Sequence, residues 1–343
     1  MGTESTSAAI PFELTVGSKT FTQAEGNVIR LSFEDHVDMI AMLQAQISGS
    51  EQGTDWSFNV GDEVELKLGE DGESIFEGEL VAANPSFQLQ GISSINIRAL
   101  DKIHRMTRGR KTRTFTDETD SGAVTTVADE LGLSVDAEST DDTHAYILQR
   151  NESDLAFLKR LAARNNRLLR IEQGNLSFKQ PQFEGDGYEL KVGENLHSFQ
   201  VQYNSMDQVQ EVVVRGWSPA DKAEVVGTAT KDDVDKIGDG QLGLELAAGF
   251  GDSTAYITDV PISSQSAATA IAKAELNRLS RQYARGNGKV KGDPVVRAGT
   301  MVTSSGLPTG SNGSFFVLST KHIISPKSGY VTEFTFCSNC HGT

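Results

Sequence analysis

Val28-Ile29-Arg30-Leu31-Ser32-Phe33-Glu34-Asp35-His36 and, after a short gap, Ala41-Met42-Leu43-Gln44-Ala45-Gln46-Ile47-Ser48 carry an apolar residue at every second position. Period-two alternation sets one face of an extended segment on a core and the other in water, as in an antiparallel sheet. The same pattern occupies Phe12, Leu14 and Val16 upstream and Val64, Leu66 and Leu68 downstream, the latter set against Glu63, Glu65 and Lys67. Phe87 and Leu89, then Ile95, Ile97 and Ala99, continue it, and glycine-rich turns at Gly49–Gly53 and Gly69–Gly72 fall at hairpin-like spacing. The reading is a β-barrel or sandwich of about one hundred residues.

The whole chain has 343 residues, enough for two or three domains with their own cores. It carries 31 basic and 47 acidic residues, a net charge of −16. That balance argues against free-standing affinity for nucleic acid, which rests on phosphate neutralisation, and against docking on an anionic membrane. Charged residues at 23% and hydrophobic ones at 37% describe a folded chain rather than a disordered one. Thirty-three glycines exceed the ~7% average and fit a turn-rich, β-rich fold. No stretch approaches ~20 consecutive apolar residues. Met1–Ala9 is polar and lacks the basic and apolar regions of a secretory signal, so the expectation is synthesis and assembly in the cytoplasm.

Beyond residue 100 the composition shifts. Lys102, His104, Arg105, Arg108, Arg110, Lys111 and Arg113 form a basic segment in an acidic protein. Ala123, Val127, Ala128 and Leu131 share a helical face with Gly132 as its stop. Leu155, Leu158, Leu161 and Ala162 form a second stripe, with Asn151 as cap and Asp154 in the first turn. Leu168–Ile171 and Leu176–Phe178, split by Gly174, read as a hairpin. Strands return at Phe199, Val201 and Tyr203 and at Val212 and Val214, whereas Thr228–Gly251 has no period and reads as loop or insertion. Ser264–Arg285 is the longest helix expected, with Ala268, Ile271, Ala272, Leu276, Leu279 and Tyr283 on one face and Gly286 ending it. Tyr330, Thr332, Phe334 and Phe336 mark a last strand. The fold class expected is mainly β with an α+β middle module: a barrel-like domain at 1–115, a small α/β module at 116–185 and a second barrel-like domain at 186–343.

Catalytic chemistry is hard to find in this pattern. Cys337-Ser338-Asn339-Cys340-His341 has the form of a c-type haem attachment site, but only two residues follow His341 to build a pocket. Zinc would find three ligands there and need a fourth from elsewhere, so a strand end with incidental thiols is the preferred reading of Cys337, Cys340 and His341. Asp232, Asp233, Asp235 and Asp239 lack the spacing of a calcium loop, and Gly286-Asn287-Gly288-Lys289 lacks that of a phosphate loop. The six histidines are scattered and none belongs to a local nucleophile motif. No catalytic residue, metal or cofactor is expected. For any single arginine of the basic segment, pairing with surplus surface carboxylates is the simplest reading; their concentration points to a contact with an acidic neighbour.

Three stretches resemble a known family. Ala99–Phe115, read as Ala-Leu-Asp-Lys-Ile-His-Arg-Met-Thr-Arg-Gly-Arg-Lys-Thr-Arg-Thr-Phe, resembles the signature of the phage late-control gene D family, the baseplate hubs of contractile tails and their relatives. Gln149-Arg150-Asn151-Glu152-Ser153-Asp154-Leu155-Ala156-Phe157-Leu158-Lys159-Arg160-Leu161-Ala162 is similar to a helix shared by those hubs and by the valine–glycine-repeat spikes of type VI secretion. Val28–His36 is similar to the first tube-domain strand of hubs in extracellular contractile injection systems. The likeness runs over about residues 10 to 336. It implies two barrel-like tube domains per chain and a homotrimer that adapts a hexameric inner-tube ring to a three-fold spike. The implied partners are the tube ring, a spike protein or C-terminal spike domain and baseplate wedge components, without stable nucleic-acid or membrane binding, in a phage-like or injection-system particle. Arg105, Arg108, Arg110, Lys111 and Arg113 are the expected subunit, tube or spike contacts. The alternatives are the hub region of a type VI spike protein and, from a different class, a baseplate-associated cell-wall hydrolase. Relatives often continue into an oligonucleotide-binding-type barrel and a needle; here Thr343 follows the last strand, which leaves the spike on a separate chain or on a longer product.

Overall fold

A computed structural model describes residues 10–49, 57–69, 72–87, 93–172, 174–185, 187–218, 221–262 and 264–342. Leu89, Met1–Ala9 and most of the turns expected at Gly49–Gly53 and Gly69–Gly72 lie outside the described residues. The first segment forms β1 (Phe12–Val16), β2 (Lys19–Thr22), β3 (Val28–His36), β4 (Met42–Ser48), β5 (Glu63–Leu68), β6 (Glu73–Ser86) and β7 (Ser94–Leu100). Alternation translates into burial as expected for β4, where Leu43, Ala45 and Ile47 are enclosed, and for β5, where Val64, Leu66 and Leu68 are. In β3 it holds only from Leu31 onward. A register shift between Val28 and Arg30 turns Ile29 outward, an irregularity that period-two reading cannot anticipate.

The middle segment contains β8 (Lys111–Thr119), α1 (Asp120–Asp129), β9 (Val135–Ala137), β10 (Thr143–Glu152), α2 (Asp154–Arg164), β11 (Leu168–Glu172) and β12 (Asn175–Lys179). β8 and β10 pair antiparallel, β11 and β12 form the expected hairpin, and β9 joins β12 in parallel. One core gathers Ala123 and Val127 of α1, Phe157, Leu158 and Leu161 of α2, and Leu176 and Phe178 of β12. Ile103 and Met106, from a 3-10 helix at Lys102–Thr107, complete it. α1 ends as its sequence indicates, with Gly132 at φ 68° and Leu133 N donating back to Ala128 O. The cap of α2 differs from expectation. Ser153 accepts from Ala156 N at 3.2 Å, whereas Asn151 sits at φ 46° beside the register shift of β10 and donates its own N–H to Thr112 Oγ1.

The remaining chain runs through β13 (Tyr188–Leu190), β14 (Leu196–Tyr203), β15 (Glu211–Ser218), β16 (Ala223–Thr230), α3 (Gly243–Ala247), β17 (Thr254–Ile257), α4 (Gln265–Ser280), β18 (Ala284–Lys291), β19 (Met301–Ser304), β20 (Gly313–Ser325) and β21 (Gly329–Ser338). β16, β15 and β17 make a separate sheet with α4 laid across it. The approach is close at Gly227, where a Cβ would fall 2.2 Å from the Ala268 carbonyl carbon. The aperiodic stretch after Thr228 is not simply a solvated loop, because Ile237, Leu242, Leu244 and Ala247 are buried. Its apolar residues close over a core one by one, so no period marks them. α4 stops at Ser280, and Gly286 lies inside β18 rather than at a helix end. A Cβ there would stand 2.1 Å from Gln200 O and 2.4 Å from the Phe336 ring, so glycine serves strand packing instead.

Both ends of the chain build one sheet. Thirteen strands follow the order β14-β18-β21-β20-β3-β4-β7-β6-β5-β1-β2, with β19 and β13 branching from β20. The joint is β3 against β20, antiparallel from Leu31↔Ile324 to His36↔Ser319. Leu14, Leu43, Ile47, Leu66 and Leu80 fill the core on the first side of this joint; Val290, Phe315, Val317 and Phe336 fill the other. The fold is mainly β, a curled half-barrel sheet with smaller α/β units beside it.

Candidate assembly surface

The basic segment turns out to be a seam inside the chain. Arg105 donates through Nε to Glu79 Oε2 at 3.0 Å and through Nη2 to Glu79 Oε1, which fastens the 3-10 helix to β6. That guanidinium holds the Glu79 carboxyl below its usual range. Lys111 Nζ lies 2.9 Å from Asp154 Oδ2 and 3.2 Å from Glu130 Oε2. Arg113 spans three partners: Gln149 Oε1 at 2.6 Å, Asp154 Oδ1 at 3.1 Å and Glu130 Oε2 at 2.7 Å, with its guanidinium over the Phe115 ring. Asp154 opens α2, so these cations meet a carboxylate that also suits the positive end of the helix. Burial pushes its carboxyl up, but hydrogen bonds from Lys111 and Gln149 outweigh that and leave it lowered.

Arg110 donates to the Asn151 carbonyl at 3.1 Å and has no ion-pair partner among the described residues. Arg108 is exposed at the rim of a cleft of about 610 Å³ between β6 and α2, and it pairs with no carboxylate among the described residues. The five residues read as contact candidates thus divide. Arg105, Lys111 and Arg113 join elements of one chain, while Arg108 and Arg110 keep charge directed outward.

The C-terminal motif does not converge on a site. Cys337 is fully enclosed with Val37, Ile237, Met301 and Phe316, and burial pushes its thiol up to about 11. Cys340 belongs to a different core, that of α4 and β15. His341 Nδ1 lies 2.8 Å from Tyr283 OH. Among the described residues no three His, Cys, Asp or Glu side chains are placed to hold a metal ion. Of the acidic run, Asp233 closes a capping box with Thr230 and pairs with Lys273, and Asp235 accepts from Asn166 Nδ2.

A surface that residue-by-residue reading did not find lies across the large sheet. Glu34 on β3, Lys321 on β20, Glu333 on β21 and Lys289 on β18 stand in register and form a transverse row of alternating charge. Lys321 Nζ is 2.6 Å from Glu34 and Lys289 Nζ is 3.1 Å from Glu333. The next row runs His36, Ser319, Thr335, Asn287 and Gln200, with Ser319 and Thr335 hydroxyls 2.6 Å apart. The signal for it was present in the polar halves of the alternating strands, but register was needed to align them.

Residues 23–326 match the family model described as the Alg8 N-terminal domain, and the chain belongs to that family. No curated protein sequence matches it. Among solved structures, the 43 kDa tail protein of prophage MuSo2 from Shewanella oneidensis is 14% identical, with a TM-score of 0.70 over 96% of this chain and 98% of that one. A tail protein from Neisseria meningitidis is 12% identical, with a TM-score of 0.71 over 96% and 97%. An E. coli protein described as a type VI secretion component resembling phage T4 tail proteins is 12% identical, with a TM-score of 0.65 over 95% and 76%. The fold is therefore that of phage-tail and type VI spike proteins. The matching family model is the Alg8 one, not that of the late-control gene D family.

Proposed function

We propose that this member of the Alg8 N-terminal domain family is a structural hub at the spike end of a contractile tail-like particle. In this reading it is a homotrimer that adapts a hexameric inner-tube ring to a three-fold spike, touches baseplate wedge components and shares the ancestry of the late-control gene D hubs. The observation that carries the reading is the single sheet drawn from both ends of the chain, apolar toward its cores and polar on the other face. Two strand sets per chain and three chains supply six similar wall segments. Rows of amides, hydroxyls and mutually paired charges give such a wall little net field. The outer edges at β14 and β2 leave main-chain groups for neighbouring copies. The role is non-enzymatic, with ionisable side chains engaged at the seams of the fold. The chain assembles in the cytoplasm and is carried within the particle.

The test is co-expression with the tube and spike proteins of the same particle, read by native mass spectrometry. Trimers bound to both are expected, and monomers alone in the presence of both partners overturn the proposal. Arg108→Ser with Arg110→Ser should leave the isolated chain folded and reduce the yield of assembled particles, whereas normal particles that fail in ejection would move both arginines to the pore. Arg113 is left intact because its loss would strip partners from Asp154 and Glu130. The likeness to the E. coli type VI component favours one second reading, the hub region of a type VI spike. Degradation of purified peptidoglycan by the chain would instead favour a baseplate hydrolase.

A further inference from the structure

The large sheet contains one strand set twice. β14-β18-β21-β20 and β3-β4-β7-β6 follow the same order, and β19 pairs antiparallel with β20 as β5 does with β6. The chain order agrees, since β3 to β7 recur as β14, β18, β19, β20 and β21. The irregularities recur as well. The shift between Val28 and Arg30 returns between Leu196 and Ser198, and that between Leu80 and Ala82 returns between Val317 and Ser319. Leu80 accepts from Gly61 N and donates to Asp62 O, both at 2.8 Å. Val317 does the same with Gly299 N at 2.8 Å and Thr300 O at 2.9 Å. Bulges at matching places fix a residue-by-residue correspondence, in which Leu80 answers to Val317 and Arg30 to Ser198.

Within one copy the two sets are joined through β20 and β3. The strands that answer to these at the outer ends, β6 and β14, each keep an edge with no ladder partner among the described residues. Residues 82–86 pair only with β7, and residues 198–203 only with β18. Asn204 N donates to Tyr283 O at 2.7 Å, so alternation turns the N–H and C=O of Val201 and Tyr203 outward. β14 has eight residues and no Lys, Arg, Asp or Glu, so nothing blunts its edge.

We propose that successive copies of this chain join β6 to β14 in the register that joins β20 to β3 within one copy. Thr320↔Asp35, Lys321↔Glu34 and His322↔Phe33 then have as counterparts Ala83↔Tyr203, Asn84↔Gln202 and Pro85↔Val201. Ala83 and Val201 already pack at the rims of two cores, so apolar meets apolar on that face and amide meets amide on the other. Pro85 gives this ladder only its carbonyl, as an edge position tolerates. Beyond β3, Val37 packs with Ala298, Met301 and Phe316. Beyond β14, Met206, 90% exposed, enters the neighbour's 610 Å³ cleft at Val60, the 74% exposed counterpart of Ala298. The contact is head-to-tail and propagates until a ring closes. It deepens the homotrimer reading and rests on it only for the number of copies.

The test is a cysteine pair, Asn84→Cys with Gln202→Cys, in the full chain co-expressed with the tube and spike proteins of its particle. Both positions are exposed, whereas the native Cys337 and Cys340 are buried. Opposed Cβ atoms stand about 4.5–5.5 Å apart and diagonal ones about 7–8 Å, so oxidation reads the register. Covalent multimers on non-reducing gels should exceed those of Asn84→Cys with Gln200→Cys at least about tenfold, and neither single variant should link. Trimers in native mass spectrometry without the 84–202 link overturn this contact and leave the hub reading standing. Linked assemblies of another size keep the contact and overturn the trimer, and monomers alone overturn both. Gln202→Cys linking by itself, which would pair β14 with β14, or equal linking of the Gln200→Cys pair also overturns the proposal.

Discussion

Asp101 and His322 are buried ionisable groups that the sequence presents as ordinary, and they pull stability in opposite directions. Burial raises Asp101 from 3.8 to about 7, although Ala41 N at 2.8 Å and Ile103 N at 2.9 Å both donate to its carboxyl and pull it back. Burial, helped by the charge of Arg297, lowers His322 from 6.5 to about 3, with Tyr330 OH 2.9 Å from Nδ1 and the ring stacked on Phe33. The unfolded chain binds a proton at His322 below pH 6.5 and the folded chain only below about 3, so His322 makes stability rise with pH across that window. Asp101 stays protonated in the fold up to about pH 7 but ionises above 3.8 when unfolded, so it makes stability fall with rising pH. Between 3.8 and 6.5 the two slopes oppose each other. Urea midpoints from pH 4 to 7 should therefore be nearly flat in the native chain. They should climb with pH in Asp101→Asn and descend in His322→Gln; parallel profiles for all three proteins would refute the assignment. Below that window Asp120 adds its own loss. Burial raises it, but bonds from His144, Arg164 and Asn165 outweigh this and take it to about 2. None of this was legible in the sequence, because burial of a polar residue depends on strands that meet from far away. Asp35 and its partner Arg297, 2.8 Å apart, lie on opposite sides of the β3–β20 joint.

At the scale of elements, two of the differences between sequence and structure, the cap of α2 and the end of α4, occur where two structures share one local signal. The stripe of α2 is a local property. Leu158 is 0% exposed in the middle core, so Leu158→Ala should cost about 2–5 kcal/mol, measured by urea unfolding. An unchanged midpoint would mean that the stripe does not bear the core. Its cap was misplaced because Asn151 and Ser153 are both good N-cap residues, and only the φ of 46° at Asn151 removes it from the choice. Gly286 is a similar case, since glycine after an apolar stripe signals a helix end as well as a crowded strand. The structure separates the two meanings by a testable margin. A helix-end glycine tolerates alanine at modest cost, whereas Gly286→Ala must displace both Gln200 O on β14 and the Phe336 ring. A loss of about 1–3 kcal/mol or more is expected, with altered aromatic near-ultraviolet signal from the Phe199, Phe315 and Phe336 group. The basic segment shows the same limit from the other side. Its concentration was plain, but only the fold reveals that Arg105, Lys111 and Arg113 are consumed by Glu79, Glu130 and Asp154.

For the whole molecule the governing quantity is charge. In the proposed trimer three copies at −16 each would carry −48, and a ring would bring them within a few tens of ångströms. At about 10 mM salt the screening length is about 30 Å, so most of that repulsion acts across the assembly; near 150 mM it shrinks to about 8 Å and only adjacent groups still interact. The attractive contacts proposed for Arg108 and Arg110 are few and exposed, and such pairs contribute about 1 kcal/mol or less. Burial of apolar surface and pairing of strand edges are insensitive to salt by comparison. The trimer fraction at fixed protein concentration should therefore rise from 10 mM to about 150 mM salt and then level, as followed by mass photometry. Arg108→Ser with Arg110→Ser should lower the whole curve without changing its direction. A trimer fraction that falls steadily with salt would mean instead that a few local ion pairs, not edges and apolar surface, hold the copies together, and the open edges at β14 and β2 would then need another occupant.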